Sequence, residues 1–463
     1  MKLKYNILIH TIILTLISIS LFTIYTLANK NLYNIKSTSI YVLGMSLYGL
    51  FILFNFSIHK NSFYGVSSFC MTFLFSEKGF NNYDNISLLL NLFMFTILGF
   101  IIHIVRFKPK LYISHFTPTI LFFVFCIALS GIGVNEYDHA YQVSHPWFMP
   151  FLVFGIGILL LSLLNYFECS NESTLEDVSI YFKGIIILIG YEIFFYMLII
   201  LGNNFQEFFE GKKLLLGIGS PNTVAIILEL TIPFMLYFSF KRKYFINTLF
   251  FYIAYQLLIL TLSRGAIIVT TFLMIPYTIY LFITHKNKYK IYLIYHISIL
   301  STIIISLLFL SIKEPKLISN YMNVFLAHFD TLTGRDQIWM YILEHWKINP
   351  VFGIGIVSNA LWDFSGSGEF YFAHSTFLET LWMTGLVGFV GLLVHLFDKY
   401  FYIIKNKKYI SLMLMFYLCA GIYGTFDVTY YNLHFTLFLL VIMYLYCSNI
   451  KLNKINYYNE FII

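Results

Sequence analysis

The chain alternates long apolar runs with short polar segments. Thirteen of the runs approach the ~20 residues that a helix needs to cross about 30 Å of hydrocarbon. A shorter run at 63–76 is either a short span or a re-entrant segment. The pattern predicts an all-α fold, a polytopic transmembrane helical bundle of 12–14 spans. The thirteen runs are 7–27, 38–57, 86–105, 117–134, 146–167, 180–202, 221–239, 244–262, 265–284, 290–312, 376–397, 409–423 and 431–447.

Composition supports a membrane protein. Apolar residues make up 59% of the chain and charged residues only 11%, with a mean hydropathy of +0.77, far from the balance of soluble domains. The basic start precedes an apolar run too long for a signal peptide, which predicts a retained first helix. The five cysteines form no CxxC or Cys/His cluster, so neither a zinc site nor a disulfide framework is indicated.

Charge sets the predicted orientation. Basic segments at 241–243, 285–290 and 398–408 are separated by even numbers of crossings. The positive-inside rule places them in the cytoplasm, which explains the net charge of +7 without a nucleic-acid partner. By alternation, 263–265, 313–375 and 424–430 face the other side.

This orientation divides the chain into three parts. Residues 1–312 form the N-terminal part of the bundle, 313–375 a large extracytoplasmic loop, and 376–463 the C-terminal helices with a short basic cytoplasmic tail. The loop has roughly sixty residues where connections usually have four to six, and loops of that length usually carry function. Helical spacing of apolar residues predicts an amphipathic helix in it, stopped by Asn349-Pro350. The spaced residues are Ile338, Tyr341, Ile342 and His345.

Arginine is rare among the 29 basic residues. The four arginines are Arg106, Arg242, Arg264 and Arg335. Arg264 and Arg335 fall on the outer side, against the charge rule. A guanidinium presents a planar fork of N–H donors that suits phosphate oxygens. Arg264 and Arg335 are therefore predicted to bind a lipid-linked phosphate. The alternative is snorkelling to lipid headgroups, or an ion pair with a carboxylate such as Asp336.

His374 closes the same loop, at the head of an apolar run. It is either a polar residue where a helix leaves the bilayer or a general base, because neutral imidazole can take a proton from a sugar hydroxyl. The chain has no Asp-x-Asp pair of the kind that a metal-dependent sugar-nucleotide transferase needs. No metal and no cofactor are therefore implied.

Four stretches in order resemble the O-antigen ligase and O-antigen polymerase superfamily. His374-Ser375, nine residues, then Gly385 and Gly388 resembles its motif of His, then Asn, Ser or Gln, nine residues, Gly, two residues, Gly. The other stretches are "GIGSPNTVAIILELTIPF" (217–234), "SRG" (263–265) and "GRDQIW…NPVFGIG" within the loop. One departure is Trp339, which stands where the family commonly has leucine.

The resemblance implies transfer of a glycan from undecaprenyl diphosphate to an acceptor hydroxyl, without metal or nucleotide sugar. Arg264 and Arg335 would bind the diphosphate and His374 would deprotonate the acceptor. Supporting candidates are Asn222, Glu379, Ser375 and Asp336. Asn222 either lines the cavity or starts a helix, and Glu379 would orient the histidine or the acceptor. Gly385 and Gly388 are predicted as close-packing positions of the helix beneath.

The sequence does not identify the acceptor molecule. A carrier-linked repeat unit as acceptor would make the protein a polymerase, lipid A core a ligase, and a pilin a protein glycosyltransferase. The bias toward Ile, Phe, Tyr and Asn resembles the composition of polymerases from surface-polysaccharide loci, which favours the first. Expected partners are the undecaprenyl-diphosphate-linked glycan, the acceptor glycan, membrane lipids and a chain-length regulator. The expected location is the bacterial inner membrane, with the active site on the periplasmic face. From a different class, a lipid-linked oligosaccharide flippase would show pseudo-symmetric halves, whereas the candidate groups here collect on one side.

Overall fold

A computed structural model describes the fold of the protein. It describes residues 6–29, 37–75, 86–134, 148–200, 220–241, 244–285, 289–326, 335–355, 373–427 and 433–460. Within these ranges every regular element is helical and there is no strand, so the predicted all-α class is confirmed. Arg242 and residues 356–372 of the predicted loop lie outside the described residues.

Each predicted apolar run overlaps one helix, except that the run 117–134 is divided into two helices, Thr117–Ala128 and Gly131–Val134. The helices are α1 Ile7–Asn29, α2 Ser37–Ile58, α3 Phe63–Phe75, α4 Ile86–Phe107, α5 Thr117–Ala128, α6 Gly131–Val134, α7 Phe148–Ser170, α8 Leu175–Phe195, α9 Pro221–Ser239, α10 Tyr244–Leu260, α11 Arg264–Thr284, α12 Tyr289–Lys313, α13 Pro315–Leu326, α14 Arg335–Trp346, α15 Thr376–Lys405, α16 Ile410–Tyr423 and α17 Leu433–Glu460. A π-helical turn, Tyr196–Ile200, follows α8.

Among the described residues, eight helices are long and apolar enough to cross a membrane, and six further apolar helices are shorter. The run at 63–76, ambiguous in the sequence, is one of the short ones. The protein is therefore an integral membrane protein built as a polytopic helical bundle. The predicted division at 312 and 375 describes membrane topology and stays a prediction.

The chain forms two compact units, and both are discontinuous in sequence. Unit 1 comprises Met1–Lys110, Ser170–Ala327 and Lys451–Ile463. Its central helix is α9, of which 94% is buried, and α8, α10 and α11 pack around it. In contrast, only 6% of Lys290–Lys313 in α12 is buried. Since that helix is strongly apolar, its surface suits contact with lipid.

Unit 2 comprises Leu111–Cys169 and His328–Ile450. The long helix α15 packs against α5, α14 and α16. In α14, the loop helix, Ile338 and Ile342 are buried and join an apolar cluster with Trp382 and Met383 of α15. Burial also raises the pKa of the Tyr341 phenol, which keeps this side chain neutral. The second loop helix, α13, belongs to unit 1 and was not predicted.

Helix α15 is interrupted at Gly385, where φ is 61° and ψ is −162°. The interruption leaves backbone groups that the loop segment Pro350–Gly355 satisfies with its own backbone. The N–H groups of Ile354 and Gly355 donate to the carbonyls of Trp382 (3.1 Å) and Met383 (2.9 Å). In return, the N–H groups of Leu386 and Val387 donate to the carbonyls of Pro350 (2.9 Å) and Val351 (3.1 Å). Four backbone hydrogen bonds thus join the loop to the helix.

Candidate active site

The start of α15 is fixed to a short turn that follows α16. Ser375 is the N-cap of α15, and its hydroxyl accepts a hydrogen bond from the Leu378 N–H at 3.4 Å. The Thr376 N–H donates to the Gly424 carbonyl (2.8 Å), and its hydroxyl donates to the Asp427 carbonyl (3.1 Å). This anchoring sets the turn Gly424–Asp427 beside His374.

His374 faces a carboxylate on that turn. Its Nδ1 lies 3.5 Å from Oδ1 of Asp427, whose other oxygen accepts a hydrogen bond from the Tyr423 hydroxyl at 3.1 Å. The Asp427 side chain is 11% exposed and the His374 side chain 32% exposed. Because Nδ1 itself is buried, the exposed part of the ring lies away from it. A carboxylate on the Nδ1 side favours the tautomer whose Nε2 carries the free lone pair.

Arg335 attaches to the same turn from the loop side. It is the first residue of α14, and its Nη1 donates to the carbonyl of Phe426, the residue before Asp427. The exposed Asp336 next to it forms no ion pair with Arg335 within this described region. Arg335 and His374 therefore both contact the same four-residue turn, Gly424–Asp427.

Arg264 belongs to unit 1, whereas Arg335 and His374 belong to unit 2. It is half-buried and is the first residue of α11, directly after a tight turn in which the Ser263 N–H donates to the Thr261 hydroxyl at 3.2 Å. Arg264 and Arg335 thus share one local setting, the N-terminus of a helix. The partial positive charge there adds to the guanidinium in attracting an anion. Convergence of Arg264 with His374 stays a prediction.

Three supporting candidates have clear local roles. Asn222 follows Pro221 in the first turn of α9, which Ser220 caps, so the Pro-Asn pair starts a helix. Ser375 caps α15. Glu379 is fully buried, and its Oε2 accepts a hydrogen bond from the Ala373 N–H at 2.7 Å. The carboxylate beside the His374 ring is accordingly Asp427, and Glu379 binds the backbone before the histidine.

Sequence reasoning missed Asp427 and Tyr423. A signal was available, because 424–430 was assigned to the same side as the long loop and Asp427 is its one carboxylate. An acidic residue in a short connection has no motif around it, however, and nothing in the sequence places it beside a histidine fifty-odd residues earlier. Only the packing of α16 against α15 does so.

Comparison with known proteins gives two matches. Residues 249–393, which include Arg264, Arg335 and His374, match the family model described as O-antigen ligase. A curated relative from Rhizobium meliloti (strain 1021), the exopolysaccharide production protein ExoQ, is 32% identical over 82 residues. That alignment covers 15% of this chain and 19% of ExoQ. Asp427 lies beyond the residues that the family model matches.

Proposed function

We propose that the chain is a member of the O-antigen ligase and O-antigen polymerase superfamily and a membrane glycosyltransferase of polysaccharide biosynthesis that acts on a lipid-linked donor. The family match over residues 249–393 and the motifs around His374 support this proposal. The proposed reaction moves an oligo- or polysaccharide from undecaprenyl diphosphate to an acceptor hydroxyl, on the periplasmic face of the inner membrane. The observation that carries the proposal is the His374–Asp427 pair on the turn that also binds Arg335.

The proposed step needs one base and one anion site. The acceptor hydroxyl gives its proton to Nε2 of His374 as its oxygen bonds to the anomeric carbon of the donor. The bond between that carbon and the diphosphate oxygen breaks, so the configuration at the anomeric carbon inverts. The diphosphate leaves with the bonding electron pair, and the exposed part of the His374 ring is where an acceptor can approach.

Arg335 and Arg264 are the proposed diphosphate ligands. Negative charge builds on the leaving oxygen as the glycosidic bond breaks, and preorganised cations and helix N-termini stabilise such charge. Arg335 donates one N–H group to Phe426, and a guanidinium has five such donors. The remaining donors of Arg335 can bind phosphate while the one bond fixes the side chain.

Asp427→Asn is expected to lower the turnover number by about tenfold to a hundredfold, a part of the ~10²–10⁴ that general base catalysis contributes. The neutral amide neither stabilises the imidazolium formed during transfer nor fixes the proton on Nδ1. The measurement is transfer from a purified lipid-linked donor by protein in nanodiscs.

Asp398→Asn is the matched control. Asp398 also pairs with a histidine, at 2.9 Å from Nε2 of His115, and lies near the other end of α15. Losing this pair should leave the turnover number within about twofold of the wild type, as expected for a pair at a surface. Equal losses in both variants would assign Asp427 a purely structural role.

Chain growth is the favoured form of the reaction. The relative ExoQ is named for exopolysaccharide production, which points to glycan extension rather than attachment to lipid A core. The Ile-, Phe-, Tyr- and Asn-rich composition agrees with a polymerase. The family description as a ligase keeps transfer to lipid A core as the second candidate.

Deletion of the gene separates these candidates on a gel of surface glycan. Loss of a polymerase is expected to leave single repeat units on the core. Loss of a ligase is expected to leave bare core with glycan accumulating on the lipid carrier. A wild-type glycan pattern in the deletion strain, with no carrier-linked intermediate, would overturn the proposed function.

A further inference from the structure

The backbone N–H and the backbone carbonyl of Ala373 each form a hydrogen bond with a side chain, and the two side chains come from different helices. The Ala373 N–H donates to Oε2 of Glu379 in α15 at 2.7 Å. The Ala373 carbonyl accepts a hydrogen bond from the indole Nε1 of Trp339 in α14, also at 2.7 Å. Ala373 and Glu379 are both fully buried. Because the Ala373 backbone is buried, losing either hydrogen bond leaves a buried backbone group without its partner.

The next residue, His374, has an unusual backbone conformation. Its φ is +48°, in the left-handed region that a residue with a Cβ rarely adopts. Such a conformation persists only where its surroundings impose it. On its C-terminal side, the cap at Ser375 and the bonds from Thr376 to the Gly424–Asp427 turn fix the chain. On its N-terminal side, the two bonds to Ala373 do so.

We infer that Trp339 and Glu379 are positioning residues that hold His374 in this conformation and so direct its imidazole toward Asp427. Neither residue needs to touch the substrate, because each acts through the Ala373 backbone. The inference rests on the proposed function, since it presumes that His374 is the base. It assigns a specific task to Trp339, the residue that departs from the family pattern: leucine at this position has no N–H to donate.

The hydrogen bonds of Trp339 and Glu379 to the Ala373 backbone are called the clamp, and they come from two different helices. Trp339 comes from the loop helix, whose Ile338 and Ile342 anchor it on α15. Glu379 comes from α15 itself, one turn after the cap. The clamp therefore links the orientation of the base to correct docking of the loop helix. Loss of either hydrogen bond should free His374 to relax toward ordinary φ values and turn its ring away from Asp427.

Trp339→Phe tests the loop side of the clamp, because it keeps a six-membered aromatic ring and removes the indole N–H together with the five-membered ring that carries it. The expected result is a turnover number lowered about tenfold or more, with KM for the lipid-linked donor within about twofold, as misplacement of a catalytic group predicts. Hydrogen–deuterium exchange should become faster over 373–379. Both measurements use the full-length protein in nanodiscs.

Trp346→Phe is the matched control in the same helix. The Trp346 indole donates to the Pro350 carbonyl at 3.1 Å, away from Ala373. This variant loses the same kind of hydrogen bond, and it should keep the wild-type turnover number and the wild-type exchange over 373–379. If it reproduced both effects of Trp339→Phe, general loosening of the loop helix would replace the clamp as the explanation.

Glu379 provides a second pair of variants that does not depend on the tryptophan. Glu379→Gln keeps a carbonyl oxygen that can accept from the Ala373 N–H, so it should retain activity within about threefold. Glu379→Leu removes the acceptor and should reproduce the slow turnover and fast exchange of Trp339→Phe. Equal activity of the Gln and Leu variants would overturn the clamp.

Two outcomes separate failure of the clamp from failure of the proposed function. Unchanged turnover and exchange in Trp339→Phe, or a loss confined to KM, would overturn the positioning role of Trp339 whatever His374 does. Faster exchange in Trp339→Phe together with full activity of His374→Ala would instead exclude His374 as the general base. The positioning role would then fail with it, because it depends on that assignment.

Discussion

Replacing His374 with alanine should lower glycan transfer by about 10²- to 10⁴-fold, the range that general base catalysis supplies. The variant removes the imidazole that faces Asp427 at 3.5 Å, and it leaves the cap of α15 and the clamp on Ala373 in place. Folding should be nearly unaffected, because His374 is only half-buried. Transfer by purified protein gives the magnitude, and the glycan pattern of a deletion strain carrying the variant gives the cellular result.

His345→Ala is the control for this prediction. His345 lies in α14, is also half-buried, and stacks on the ring of Tyr341 at 3.8 Å between centroids. Its removal changes a loop histidine without touching the turn that holds Asp427. We expect transfer within about threefold of the wild type, typical of a surface substitution. A restored wild-type glycan pattern with His374→Ala would exclude His374 as the base.

Gly385→Val is expected to destabilise the protein by about 2–6 kcal/mol, the sum of a backbone cost and a packing cost. The residue has φ of 61° and ψ of −162°, a region that is essentially restricted to glycine and costs a residue with a side chain about 1–3 kcal/mol. A Cβ there would also lie 2.6 Å from the Gly353 nitrogen and overlap the Val351 carbonyl. Overpacking of this kind adds about 1–3 kcal/mol. Thermal unfolding in detergent and the amount of monodisperse protein measure the effect.

Gly155→Val is the matched substitution in the same unit. Gly155 lies within α7 and is exposed, and a Cβ added to it would meet no atom within 4 Å. Because valine is a better helix former than glycine, this variant should unfold at the wild-type temperature or slightly above it. If Gly385→Val were as stable as Gly155→Val, the interruption of α15 would not depend on glycine.

The helices could be predicted because a membrane imposes a simple constraint. A segment that crosses hydrocarbon must satisfy its own backbone, so an apolar run of sufficient length becomes a helix whatever its neighbours are. The tight turn before Arg264 also followed from run lengths, whereas the run that forms the short α3 was left open as a short span or a re-entrant segment. The division into two discontinuous units did not follow, because apolar residues face lipid and protein alike.

The site was predictable only where its residues carry charge or break a pattern. Arg335 and His374 stand out by position, and the structure brings them to one turn. Asp427 and the Ala373 clamp depend on tertiary contacts between α14, α15 and α16, which leave no local signal. Gly385 was predicted as a packing position in a continuous helix. Its positive φ interrupts that helix, and sequence spacing cannot distinguish the two uses of glycine.

The interruption at Gly385 has a consequence for protein engineering. A chimera that receives only the loop of a relative would keep the break in α15 but lose the segment Pro350–Gly355 that pairs with it. Four backbone groups of the helix would then lack partners, at about 1–3 kcal/mol each. A loop graft must therefore transfer 349–355 and 382–387 together, because their backbones pair with each other.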